Sequence, residues 1–139
     1  MSLFEASRSV WTDRMLSVLR IVVGLLFFEH GMQKMFNLPP GQMKPVGLTL
    51  ASQMGLAAIL EVFGGACIIL GLFTRPWAFL LAGEMAVAYF QVHNKRSAFP
   101  IKNGGDNVVL FCFVFLYLVF AGAGAWSLDR LIARSKRAA

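Results

Sequence analysis

Four apolar runs, near 16–37, 51–73, 76–93 and 107–123, dominate this chain and leave little else for it to fold into. A hydrocarbon core of about 30 Å takes roughly 20 helical residues at about 1.5 Å each, and every run has a length of that order. The runs are continuous and do not alternate with period two, which excludes a β-barrel. Backbone surrounded by lipid must satisfy its own hydrogen bonds. The expected fold is therefore all-α, an integral membrane four-helix bundle with antiparallel up-and-down spans, forming a single domain over 1–139. Composition agrees, because 58% of the 139 residues are hydrophobic and only 14% are charged. An ordinary soluble enzyme of this size could neither bury that much apolar surface nor cover it with so few charges.

Turn chemistry separates the runs. Asn37, Pro39, Pro40, Gly41 and Pro45 stop the first, since no helix continues through such a cluster. The second and third meet at Thr74, Arg75 and Pro76, a connection so short that the two helices must be antiparallel neighbours. Asn103, Gly104 and Gly105 precede the fourth, with Asp106 expected as its N-cap, and Gly122 and Gly124 end it. The first run resembles the hydrophobic core of a signal peptide. It is followed by Glu29, His30, Gln33 and Lys34 and by no Ala-x-Ala-like site, so it is retained as a helix.

The net charge of +6 does not mark a nucleic-acid binder, because the Lys and Arg residues flank apolar runs instead of gathering on a solvated face. Four spans would put both termini on one side. That side holds Arg8, Arg14, Arg20, Arg75, Arg130, Arg134, Lys136 and Arg137, and the other holds Lys34, Lys44, Lys95, Arg96 and Lys102. The excess favours both termini in the cytoplasm. The basic tail, 126–139, carries Leu131 and Ile132 and is expected to rest on the anionic membrane face. Cys67 and Cys112 lie inside apolar runs and read as small buried hydrophobes, with redox pairing across helices as the alternative.

Ionisable residues inside the spans carry the functional information, because each costs at least a few kcal/mol in lipid unless it faces protein and finds a partner. Glu29 lies toward the outer part of the first helix, and Glu61 and Glu84 lie near the middle of the second and third, at depths that let them meet. Glu61 shares a helical stripe with Gly64, Gly65, Ile68 and Gly71, and small residues let another helix approach closely. Glu84 shares one with Trp77, Leu81, Ala88 and Gln91, while Gly24, Phe27, Gly31 and Lys34 line the first helix with His30 nearby. The fourth helix is expected to pack through Phe111, Phe115, Leu118 and Phe120.

These residues either form buried pairs that fix helix register or line a cavity for a proton, an ion or a quinone-like ligand. Three acids against two cations, Arg20 and Lys34, leave one carboxylate without a partner, and it is expected to exchange protons. Glu61, Glu84 and His30 are the catalytic candidates, and Arg20, Glu29, His30, Lys34, Glu61, Glu84 and Gln91 are the ligand-binding candidates. A haem held by His30 and His93 has no signature beyond that pair and is not expected. No cluster at metal-ligand spacing occurs.

The ordered set Leu19-Arg20, Gly24, Phe27, His30-Gly31 and Lys34, then Glu61, Gly64-Gly65, Gly71-Leu72 and Thr74-Arg75, then Asn103-Gly104-Gly105 and Gly124-Ala125-Trp126-Ser127-Leu128-Asp129 resembles the DoxX family. Gly122-Ala123-Gly124 stands where many members carry a Gly-Pro-Gly-like turn. The resemblance, which runs from about Leu16 to Leu131, implies a four-helix protein of a bacterial or archaeal inner membrane. It also implies kinship with the large subunit of thiosulfate:quinone oxidoreductase and with membrane complexes that respond to thiol and oxidative stress. The expectation is a membrane component of a redox or thiol/sulfur-linked quinone oxidoreductase system. In it Glu61 or Glu84 would exchange protons with a quinone, His30 would donate a hydrogen bond to a carbonyl oxygen, and Lys34 or Arg20 would stabilise developing negative charge. Nothing in the sequence supplies an electron donor, so a redox partner protein or a soluble reductant would be needed. The alternatives are a small proton-coupled transporter working as a homodimer and a non-enzymatic scaffold.

Overall fold

The computed structural model describes residues 3–41, 45–46 and 52–138, without the side chains of 3–8 and 138. Lys44, counted above for topology, and Ala51, the expected start of the second run, lie outside the described residues.

Among the described residues the structure is helical without strands, as expected. Helix α1 spans Leu3–Phe36, α2 Gln53–Leu70, α3 Thr74–Ala88, α4 Pro100–Asn103, α5 Asp106–Ala121 and α6 Leu128–Ala138. A π-helical turn, Tyr89–His93, continues α3. Helix α1 is longer than the apolar pattern suggested, because the residues before Leu16 carry no breaker that would stop it. Its stretch Ser9–Phe36 and α2 are each long and apolar enough to cross a membrane, and α5 is apolar but shorter.

Helix α1 packs on α2, α2 on α3, α3 on α5, and α5 returns to α1. The α1–α2 pair is antiparallel: a methyl group added at Gly24 would meet Ile68 and Ile69, one at Gly65 would meet Phe28, and one at Gly31 would meet Glu61 and Val62. The close approach of these backbones rests on those missing side chains. The core is Val23 and Phe27 of α1, Ile68 of α2, Ala78, Leu81, Ala82 and Met85 of α3, and Phe115 and Leu118 of α5. Phe27 sits edge-on to Phe111 and Phe115, with ring centroids 5.3 and 4.8 Å away. Phe120, expected to pack here, is instead 74% exposed. Its position falls off the 3.6-residue stripe that joins Phe111, Phe115 and Leu118.

Helix ends depart from the expectation in two places. Helix α2 stops at Gly71, whose φ of 66° is left-handed and whose N–H closes back onto Ile68 O. The turn is therefore Gly71–Phe73, and α3 begins at Thr74, before Pro76, because proline is tolerated in a first helical turn. Asp106 is the first helical residue of α5 and does not cap it. Gly105 is the N-cap, and its own N–H donates to Asn103 Oδ1 at 2.7 Å. Asp106 keeps its favourable place at the positive end of the helix.

Helix α6 is docked at its first turn. Asp129 accepts from Phe73 N at 2.7 Å and Thr74 N at 2.9 Å, and its own N–H donates to Gly71 O. The carboxylate thus satisfies donors at the start of α3 that have no intrahelical partner. Arg130 pairs with Asp13 of α1.

Candidate functional site

Gly31 and Lys34 lie one turn apart on α1 and create the centre of the site. The bare Cα of Gly31 lets α1 approach until an added Cβ would be only 2.7 Å from Val62 N and 2.8 Å from Glu61 Cβ. Lys34, on the same face three residues on, reaches back so that Nζ donates to Glu61 Oε1 at 2.5 Å. The Glu61 side chain is 2% exposed and that of Lys34 is 19% exposed. This pair is buried at the carboxylate end and opens toward the surroundings at the ammonium end.

Glu84 of α3 is near enough for the charges of Glu61 and Lys34 to act on it, as the matched depths suggested. Glu61 Oε2 and both carboxyl oxygens of Glu84 are buried with no hydrogen-bond partner among the described residues. A buried carboxyl group in that state needs either a proton or an external donor, since leaving it ionised and unpaired carries a heavy desolvation cost. The arrangement is one neutralised ion pair beside one acid with free hydrogen-bonding capacity.

His30 is exposed at the edge of this centre, near enough to act electrostatically on Glu61. Its Nδ1 lies 2.7 Å from Leu26 O, and a carbonyl can only accept, so Nδ1 carries the hydrogen and the neutral ring presents Nε2 as an acceptor. The donor role expected of His30 requires the imidazolium. His93 is fixed in the same way by Asn103 O at 3.0 Å.

Three expected members are elsewhere. Arg20 is fully buried, but fourteen residues before Lys34 it stands about 21 Å away along the axis. It donates through Nε to Ala123 O at 2.8 Å and through its terminal nitrogens to Ile68 O, to Ile69 O at 2.6 Å and to Trp126 O at 2.5 Å. It is a clamp on backbone carbonyls and not a partner for Glu61 or Glu84. Gln91 is exposed and hydrogen-bonded to Gln53, because the π-helical turn, closed by Asn94 N to Tyr89 O at 2.9 Å, shifts the register that had aligned it with Glu84. Glu29 is exposed. Among the described residues no group of three or more His, Cys, Asp or Glu side chains is placed to hold a metal ion.

Sequence reasoning passed over Ser17, Asp13 and Asp129. Ser17 Oγ donates to Asp13 O at 3.1 Å and accepts from Trp126 N at 3.0 Å. With Arg20 it fixes the segment that joins α5 to α6. The signal for Asp13 and Ser17 was the spacing Asp13, Ser17, Arg20, which follows one helical face, and Asp129 entered only as the last residue of the motif behind the family resemblance.

The DoxX family model matches residues 15–94, more than half of the chain. An uncharacterized protein of Haemophilus influenzae is 43% identical over 117 residues, covering 82% of this chain and 87% of its own length. The inner membrane protein YqjF of Escherichia coli is 31% identical over 126 residues, with 83% and 89% covered. CatD of Bacillus subtilis, whose name marks it as a candidate oxidoreductase, is 28% identical over 122 residues, with 86% and 88% covered. No solved structure matches. The match over residues 15–94, with relatives 43% and 31% identical that are covered over more than four-fifths of their length, places the chain: it belongs to the DoxX family of membrane proteins.

Proposed function

We propose that this protein is the membrane component of a redox system and that its Lys34, Glu61 and Glu84 centre receives the headgroup of a quinone-type molecule. The observation that carries the reading is the Glu84 carboxyl group, buried beside an ion pair with both oxygens unpartnered among the described residues. The name of the B. subtilis relative CatD points in the same direction. The residues fit such a headgroup because Glu84 and Glu61 Oε2 offer acceptors for a hydroxyl group, and Lys34 retains N–H donors beyond the one given to Glu61. A quinone, when bound, supplies two-electron chemistry coupled to two protons. Glu84 would hold or release a proton at its carboxyl oxygens, Lys34 would hold negative charge nearby, and Glu61 would keep the ammonium in place. His30 would accept at Nε2.

Electrons would come from a partner protein or a small soluble reductant. The proposal includes four spans in one domain, both termini on the cytoplasmic side of the inner membrane, and homo-oligomers as an assembly open to it.

The test compares Glu84→Gln with the parent in mild detergent, measuring melting temperature and binding of a short-chain quinone on the same preparation. A charged hydrogen bond is worth about 1.5–3 kcal/mol, so the expected result is an unchanged melting temperature with binding about tenfold to a hundredfold weaker. Unchanged binding refutes the reading. Proton-coupled flux in liposomes without quinone binding replaces it with the transporter alternative.

A further inference from the structure

At the opposite end of the molecule, α1 and α6 enclose a cleft of about 840 Å³ that the proposed redox centre does not use. Arg14, Arg130 and Arg134 line it against a single carboxylate, Asp13. Arg130 already pairs with Asp13, so the charge left over is that of Arg14 and Arg134. Arg14 lies over the Trp11 ring, 5.2 Å from its centroid, and Arg134 is exposed without a partner among the described residues. Two guanidinium groups facing one cleft favour a planar-faced oxyanion such as a phosphate ester.

The other side of the cleft is apolar. Val10, Leu16 and Trp126 contribute to its lining, and Trp11 and Trp126 remain 59% and 55% exposed. Exposed tryptophans are characteristic of the headgroup level of a bilayer, and the apolar run of α1 begins near Leu16, which itself lines the cleft. The cleft therefore combines unpaired positive charge with apolar wall at the height where phospholipid phosphates meet their acyl chains. A soluble phosphate would have no use for that wall.

We propose that this cleft between α1 and α6 is a binding site for the phosphate headgroup of an anionic membrane phospholipid, held by Arg14 and Arg134 with the first acyl carbons against Val10, Leu16 and Trp126. Bound there, the lipid seals α6 onto the start of α1, beside the Asp13–Arg130 pair.

The test titrates the full chain in a neutral detergent with dioctanoyl phosphatidylglycerol and follows the fluorescence of its tryptophans. Each Lys or Arg near an anionic surface contributes about a factor of five, so Arg14→Gln with Arg134→Gln is expected to weaken binding about tenfold or more while leaving the melting temperature without lipid unchanged. Each single variant should lose part of that. Lys136→Gln with Arg137→Gln, outside the cleft, should lose less than twofold. Three outcomes overturn the proposal: equal losses in the two double variants, which mean a diffuse basic surface; equal binding of dioctanoyl phosphatidylcholine, which means no recognition of net charge; and inorganic phosphate matching the phosphatidylglycerol effect, which assigns the cleft to a soluble anion.

Discussion

Replacing Gly31 by alanine adds one methyl group at the point where α1 and α2 come closest and where the Lys34–Glu61 pair is assembled. Within a helix the change is intrinsically favourable by about 1 kcal/mol. At Gly31 the new Cβ would stand 2.7 Å from Val62 N and 2.8 Å from Glu61 Cβ and Val62 Cγ2. One of those neighbours is backbone, so α1 and α2 must separate. Overpacking of this kind costs about 1–3 kcal/mol, which leaves a net loss of up to about 2 kcal/mol. Gly83 provides the matched control, since a Cβ there meets nothing within 4 Å and only the propensity gain remains. For a chain of this size about 1 kcal/mol moves the melting temperature by roughly 3–5 °C. Gly31→Ala should therefore melt several degrees below the parent in detergent, and Gly83→Ala at or slightly above it. Quinone binding should weaken in the first and persist in the second. A Gly31→Ala protein as stable as Gly83→Ala would refute the close approach on which the whole site is built.

Arg20→Met removes the Arg20 donors to Ile69 O, Ala123 O and Trp126 O and one of two donors to Ile68 O, and each buried acceptor left unsatisfied costs about 1–3 kcal/mol, so the variant should accumulate poorly and melt far below Arg20→Lys. Asp129→Asn leaves the shape but removes the charge at the start of α3 and should lower stability by about 1 kcal/mol, read as a melting shift of a few degrees. Reporter fusions after Ala139 and within Pro39 to Gly41 should give cytoplasm and exterior respectively, and a cytoplasmic signal from the second would invert the proposed topology.

The helices were legible because apolar length and breaker residues are local properties. Glu61 and Lys34 were legible because glycines at steps of three and four announce a face that meets another helix. Arg20 was misassigned for a physical reason: matching cations to acids overlooks that a guanidinium can be satisfied entirely by carbonyl groups where a helix ends, and carbonyls have no letter in the sequence. Gln91 was misplaced because extrapolating a 3.6-residue period assumes the helix keeps it, and the π-helical turn at Tyr89–His93 does not. Asp106 looked like a cap by residue type, yet the glycine before it took that position.

The Arg20 clamp joins parts of the chain made at very different times. Its carbonyl partners Ile68 and Ile69 are available once α2 is complete, whereas Ala123 and Trp126 are added only after α5. During synthesis, then, a buried arginine near the start of the protein waits half-coordinated for residues more than a hundred positions downstream. A chain that stopped at the end of α5 would leave Nε and one terminal nitrogen of that guanidinium without the Ala123 and Trp126 carbonyls they bond in the finished protein.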